Sequence, residues 1–360
     1  MMPPPPSRPR KSRGWMIVAL VLMVMLGLCL VVILGQWMEG LSPIKVTHGS
    51  TSAGSRLDET IIEDNDSANK IVVVEVSGII TSRAMDQSGL TMVEKIKEEL
   101  KRAAEDNHVK AVLLRVDSPG GEVLASDEIY GLVKDFQNGK PGKPGKPVIT
   151  SMGNLAASGG YYISTASRWI VANEMTITGS IGVILHAWNY RGLMDKVGLT
   201  PQTYKSGKHK DMLSGERTPD EIPADEREMV QALIDETYGR FKHVVEEGRS
   251  AAHGKNKNEG KALAEDWKDY ADGRVLSGNK ALELGFVDEV GNFDKAVERA
   301  RIIAHIKNAN LVEYKVRYDL SDFFRLFGKT EAPTIKVDLG MEGPKLETGH
   351  LYFLSPSFLH

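Results

Sequence analysis

Apolar positions along this chain fall into three regimes. From Trp15 to Met38 they run without a charged residue, which is long enough to cross a bilayer as a helix. From Glu39 to Asn69 they thin out among Ser, Thr, Gly, Asp and Glu, with an acidic cluster at Asp58, Glu59, Glu63, Asp64 and Asp66; this is the composition of a flexible stalk. From Ile71 onward they recur in short blocks. Ile71–Val76 is rich in β-branched residues and closes on Ser77-Gly78, which predicts a buried strand. Thr91 and Glu94 have capping-box spacing, and Leu90, Val93, Ile96, Leu100 and Ala103 recur at helical intervals up to Asp106-Asn107. Ala111–Val116 predicts a second buried strand. It runs into Asp117-Ser118-Pro119-Gly120-Gly121 and then an amphipathic stretch to about Gln137. Val148–Met152 and Trp169–Ala172 predict two further strands, and Ile177–Leu185 carries the turn Thr178-Gly179-Ser180-Ile181-Gly182. Strand, glycine turn and helix repeating in this way argue an α/β domain whose site lies at the strand ends.

Charge around the first apolar run sets its direction. Arg8, Arg10, Lys11 and Arg13 precede it with no acidic residue among them, and Glu39 is the first charge after it. The positive-inside rule therefore keeps the N-terminus cytoplasmic and sends the rest of the chain outside. The core Ile17–Leu34 exceeds a signal-peptide apolar region, and Gly35-Gln36-Trp37-Met38 offers no small-x-small cleavage site, which favours an uncleaved anchor with Trp15 and Trp37 at the two interfaces. A cleaved signal peptide would leave the same domain outside but soluble. The expected organisation is a basic cytoplasmic tail (1–14), a transmembrane anchor (15–38), a stalk (39–69), one catalytic domain (70–304) and a C-terminal extension (305–360).

Composition narrows the chemistry. The 45 Lys and Arg against 48 Asp and Glu, net charge −3, give no global basic field for nucleic acid. A single cysteine, Cys29 within the apolar run, excludes an intrachain disulfide framework and a cysteine-rich zinc module. No His-x-x-x-His or His-Glu-x-x-His spacing suggests a metal, and Asn138–Pro147 (NGKPGKPGKP) lacks the spacing of a phosphate loop and reads as a basic surface loop. No cofactor is implied.

Ser158 is the candidate nucleophile. Small residues precede it and Gly159-Gly160 open a helix, so free N–H groups at that helix start face its hydroxyl, and Gly120 or Gly121 could supply a second donor for an oxyanion. Taken alone, Ser-Gly-Gly after a strand reads as an ordinary helix cap; paired with the separate Ser118-Pro119-Gly120-Gly121 turn, the two readings stand level. A serine nucleophile needs a base, and His186, His209, His243 and His253 lack a nearby strand-end Asp. The other available base is a lysine whose pKa is lowered by desolvation. Tyr204-Lys205-Ser206-Gly207-Lys208-His209-Lys210-Asp211 supplies candidates, although as a bare run it reads as a solvated face.

Four blocks in order, Ala157-Ser158-Gly159-Gly160-Tyr161, Thr178-Gly179-Ser180-Ile181-Gly182, Lys205-Ser206-Gly207-x-His209-Lys210-Asp211 and Asp272-Gly273-Arg274-Val275-Leu276-Ser277-Gly278, resemble the signal peptide peptidase A family of bacterial membrane-bound Ser-Lys proteases. The resemblance spans about Ile71 to Val297. It implies Ser158 as nucleophile, Lys210 as general base, Ser180 as the serine bonded to the lysine amine, and Gly159 with Gly120-Gly121 as the oxyanion hole. It also implies a fold similar to the Clp protease and crotonase superfamily, repeated ββα turns stacked into a spiral, and ring or dome homo-oligomers whose protomers complete one another's sites. Lys205 and Lys208 are not matched positions, but their charge could lower the base's pKa.

The expected function is a membrane-anchored serine endopeptidase, facing outward from the cell membrane, that hydrolyses remnant signal peptides without a cofactor. A crotonase-like acyl-CoA enzyme and an inactive membrane scaffold of the same fold are the alternatives. The apolar C-terminus Leu351–His360 has two readings, a packed terminal strand or a tail that enters a cleft as a pseudo-substrate.

Overall fold

The computed structural model describes residues 57–83, 90–316 and 351–354, and Met23 alone before them. The apolar run 15–38 therefore lies outside the described residues apart from Met23, and among the described residues no helix is long and apolar enough to cross a membrane. The sheet and helices named below all belong to one compact unit within residues 55–360.

The chain runs β1 (Leu57–Glu63), β2 (Lys70–Ser77), α1 (Met92–Glu105), β3 (Val109–Ser118), β4 (Gly120–Glu122), α2 (Val123–Asn138), β5 (Gly139–Lys140), β6 (Lys143–Pro144), β7 (Val148–Ala157) and α3 (Gly159–Ser164). It continues through β8 (Trp169–Ala172), β9 (Ile177–Gly179), β10 (Ile184–Leu185), α4 (Arg191–Lys196), α5 (Ala224–Lys255), β11 (Val275–Ser277), α6 (Gly278–Glu283), β12 (Glu289–Val290), α7 (Phe293–Ile303), β13 (Asn310–Val316) and β14 (Leu351–Leu354). Nine of the strands form one sheet along the path β1-β13-β2-β3-β7-β8-β12, with β9 joined to the far end of β7 and β11 to β9. Neighbours from β13 through β12 are parallel, as βαβ connections require. The result is a mixed α/β domain.

Alternation along the central strands explains its layers. Val72, Val74 and Val76 with Val112, Leu114 and Val116 face a core that includes Ile96 and Leu100 of α1, Ile129 and Val133 of α2, Tyr161 of α3 and Phe241 and Val244 of α5. Ile71, Val73, Ala111 and Leu113 face the other way, onto Ala296 and Ala300 of α7. Both faces are covered, so these strands are apolar throughout. The Thr91/Glu94 capping box that starts α1 forms as its spacing predicts.

Two segments depart from expectation. Leu57–Glu63, assigned by composition to the stalk, is strand β1, antiparallel to β13, with Leu57 buried; Asn65, Ser67 and Asn69 then bond to the backbone or side chains of Asn308, Ala309 and Asn310. An edge strand with one wet face reads like a linker because half its residues are polar. The domain also does not close at Ala304, because β13 completes the sheet and β14 adds a strand elsewhere. In the basic loop, Gly139–Lys140 and Lys143–Pro144 pair as a short hairpin, but Lys146 turns inward. Its amine donates to Ala103 O (2.7 Å) and Asp106 O (2.6 Å) at the end of α1, and desolvation pushes its pKa down to about 8.

Candidate active site

β7 runs past the end of β8 and pairs instead with β9, matching Ala157 to Gly179, so Ser158 and Ser180 follow the last paired residues of two adjacent parallel strands. The Ser158 N–H donates to Gly179 O (2.8 Å), and the Ser180 N–H donates to Arg274 O (2.8 Å), which ties the Asp272–Gly278 block to the turn. Both serines have left-handed backbones, φ 54° at Ser158 and φ 50° at Ser180. At Ser158 this is the abrupt strand-to-helix turn that lifts a side chain to the top of a sheet.

The helix-cap reading of Ser158 does not hold. Its side chain makes no capping bond to α3, and Oγ is buried, 1% exposed for the residue, with no hydrogen-bond partner among the described residues. A hydroxyl freed from structural duty at a helix start is placed for chemistry rather than for capping.

The glycines converge on it. A Cβ built on Gly120 would stand 2.6 Å from the Gly159 amide nitrogen, and one built on Gly159 would stand 3.1 Å from Gly120 Cα and 3.2 Å from the Gly121 nitrogen. The two glycine turns read separately from the sequence therefore meet, and only residues without side chains fit there. Gly120 directs its own N–H to Ser118 Oγ (3.1 Å).

No hydrogen bond or ion pair joins the lysine to this cluster among the described residues. Lys210 lies exposed in the turn before α5, its N–H bonded to Gly207 O (3.5 Å), and its amine has no hydrogen bond or ion pair among the described residues, Ser158 included. Lys205 and Lys208 do not supply free positive charge beside it. Lys205 bonds Asp211 (2.7 Å), whose carboxyl it holds below the usual range, and Lys208 bonds Asp225 (2.5 Å) with the same effect.

The sequence offered a packed terminal strand at the C-terminus but gave no sign that it lies against these glycines. β14 lies antiparallel to both β4 and β10, pairing Phe353 with Gly121, Leu354 with Gly120, and Tyr352 with both Glu122 and Ile184. A Cβ on Gly120 would meet the Phe353 carbonyl oxygen at 1.9 Å. Of the two readings of the C-terminus, Leu351–Leu354 is a packed strand, and it is packed against the candidate oxyanion glycines.

The model of Peptidase family S49 matches residues 141–307. The chain is 38% identical over 276 residues to "Putative signal peptide peptidase SppA" of Enterococcus faecium, covering 75% of this chain and 73% of that protein. The chain belongs to Peptidase family S49. Protease 4 of Haemophilus influenzae is 34% identical over 68% of this chain and 36% of its own length, and Serine protease SPPA, chloroplastic, of Arabidopsis thaliana is 31% identical over 68% of this chain and 34% of its length. As an S49 member of the SppA/Protease 4 type, the protein is a serine peptidase.

Proposed function

We propose that the protein is a membrane-anchored endopeptidase that hydrolyses remnant signal peptides outside the cytoplasm by a Ser158–Lys210 mechanism. The observation that carries this reading is the buried, unpartnered Ser158 hydroxyl at the meeting point of Gly120, Gly121 and Gly159. Ser158 Oγ attacks the peptide carbonyl as the base takes its proton. Of the three glycines, Gly159 and Gly121 offer backbone N–H groups to stabilise the oxyanion, the Gly120 N–H being given to Ser118 Oγ, and the proton passes to the departing amine. Water then attacks the ester, giving a carboxylate and free Ser158. Ser180, beside the nucleophile, orients the lysine amine. The anchor at 15–38 holds the site near the bilayer, where apolar peptides remain after secretion.

The exposed, unpaired Lys210 supports one refinement. Each site draws its lysine from a neighbouring protomer of a homo-oligomer, since no bond joins Lys210 to Ser158 in the single chain. Ser158→Ala and Lys210→Ala each lower turnover of an apolar peptide by at least ~10³-fold. Co-expressed in equal amounts, the two variants regain about a quarter of wild-type activity if sites form between protomers of a ring, and none if they form within one chain. Full activity in either single variant would remove the dyad.

A further inference from the structure

Strand β7 breaks from both its neighbours over three residues. Its pairing with β3 jumps from Val116–Met152 to Ser118–Ala156, so Gly153, Asn154 and Leu155 stand against Asp117 alone. On its other side β7 leaves β8 after Ser151 and joins β9 at Leu155. A cleft of about 270 Å³ opens at this break, on the face of the sheet that carries α7, whereas Tyr161 of α3 packs on the opposite face. It lies at the carboxyl ends of parallel strands, where open α/β sheets bind ligands, and its volume is just below the range that holds drug-sized molecules.

The polar groups lining it are not used up by the fold. Arg115 stands in register with Glu75 of β2 and two residues before Asp117, yet among the described residues it forms no ion pair with either. Its guanidinium lies over the Phe293 ring of α7 instead, 5.6 Å from the ring centre. Asp117 accepts the Leu155 N–H at Oδ1 (3.1 Å) and has no cation partner among the described residues. Ser151 is 4% exposed, and its hydroxyl has no hydrogen bond among them either. A buried hydroxyl in that state calls for a bound molecule. Asn292, the cap residue of α7, makes no side-chain bond to its own helix and accepts from Asn173 instead (2.6 Å), so the helix-start N–H groups beside the cleft have no side-chain cap. A helix start in that condition favours a carboxylate.

We propose that this cleft binds a free α-amino acid with an apolar side chain. Arg115 and the start of α7 take its carboxylate, with Ser151 as a further donor, and Asp117 takes its ammonium. Residues 115 and 117 share one face of β3, ~6.6 Å apart along the strand, and a zwitterion with both charges on one carbon reaches each. A simple anion would leave Asp117 unmatched, and a simple cation would meet Arg115. Arginine suits the carboxylate because its planar fork makes two parallel bonds to it. Met152, Met175 and Phe293 supply the apolar wall, and methionine adapts its shape to the side chain it meets. The inference stands apart from the peptidase reading, since binding is read without turnover.

The test is calorimetric titration of the full-length protein with L-leucine, with 4-methylpentanoate, which lacks the ammonium, and with leucinamide, which lacks the carboxylate. Leucine is expected to bind saturably at one site per chain, and each analogue at least ~10-fold more weakly. Arg115→Gln weakens leucine by a similar factor and makes leucine and leucinamide equal, whereas Arg115→Lys, which keeps the charge, keeps the preference for leucine. Asp117→Asn retains an acceptor for the Leu155 N–H and makes leucine and 4-methylpentanoate equal. Ser151→Ala weakens leucine severalfold with both preferences intact. Absence of saturable leucine binding overturns the proposal, as do wild-type affinities that ignore the ammonium or the carboxylate, and preferences that survive Arg115→Gln and Asp117→Asn. Acetate or inorganic phosphate binding as tightly as leucine would also overturn it, by making the cleft a plain anion site.

Discussion

Ser158 combines two costly features, a left-handed backbone and a buried hydroxyl without a partner among the described residues. Each costs on the order of 1–3 kcal/mol, and neither benefits the fold. Glycine tolerates φ 54° and carries no hydroxyl, so Ser158→Gly abolishes turnover and raises the thermal unfolding midpoint by about 2 °C. An unchanged or lower midpoint would show that the turn stores no strain. Ser158 was legible in the sequence as a candidate nucleophile because glycines crowd around it. Gly159 and Gly120 had no other reason to be glycine, and the structure supplies the reason as backbone contacts that leave no room for Cβ. Lys210 was legible only through resemblance. A lysine run reads as a solvated face, and within one chain Lys210 does lie in solvent.

Elements were legible in proportion to how completely they are buried. β2, β3, β7 and β8 announced themselves as β-branched runs because helices cover both faces of the sheet, whereas β1 was hidden by its wet edge. The strands β9, β10 and β11 are too short to show any period, yet they frame the site. Helix α1 carries one element-scale anomaly. Glu99 points into the core with Oε2 unpartnered, its amine neighbour Lys95 as far as 3.8 Å. Burial, outweighing Lys95 and reinforced by Glu313 and Glu75, pushes its carboxyl up to about 8. At neutral pH the folded state therefore holds a proton that the unfolded chain, titrating near the usual 4.5, has released. Folded stability falls as pH rises across the window from 4.5 to about 8, with a slope of at most about 1.4 kcal/mol per pH unit from this group. Glu99→Gln removes that slope and leaves the protein more stable than wild type at pH 8. Denaturant unfolding at pH 5.5 and pH 8 checks it, and equal pH dependence in the two proteins would contradict the assignment.

At the scale of the molecule, the segment between β10 and α5 is not finished as a surface. Trp188 is 77% and Tyr204 91% exposed, and Leu193, Val197 and Leu199 are also open to solvent, all on the stretch leading to Lys210. Scattered apolar residues are ordinary on a protein surface, but a run of them on one segment is what an interface between proteins would cover. In the proposed homo-oligomer the partner is a second copy of this chain, and the same contact that covers Trp188 and Tyr204 would bring Lys210, unpaired among the described residues, to a neighbour's Ser158. Assembly and catalysis should then fail together. In Trp188→Glu/Tyr204→Glu, light scattering after size exclusion gives a monomer where the wild type gives an oligomer, and peptide turnover drops to the level of Lys210→Ala. Thermal unfolding of that monomer stays close to wild-type protein dissociated by dilution, because substitutions at solvated positions cost the fold itself within about 0.5 kcal/mol. A fully active monomer would mean that Lys210 reaches Ser158 within one chain, and an oligomer unchanged by both charges would move the interface to another face.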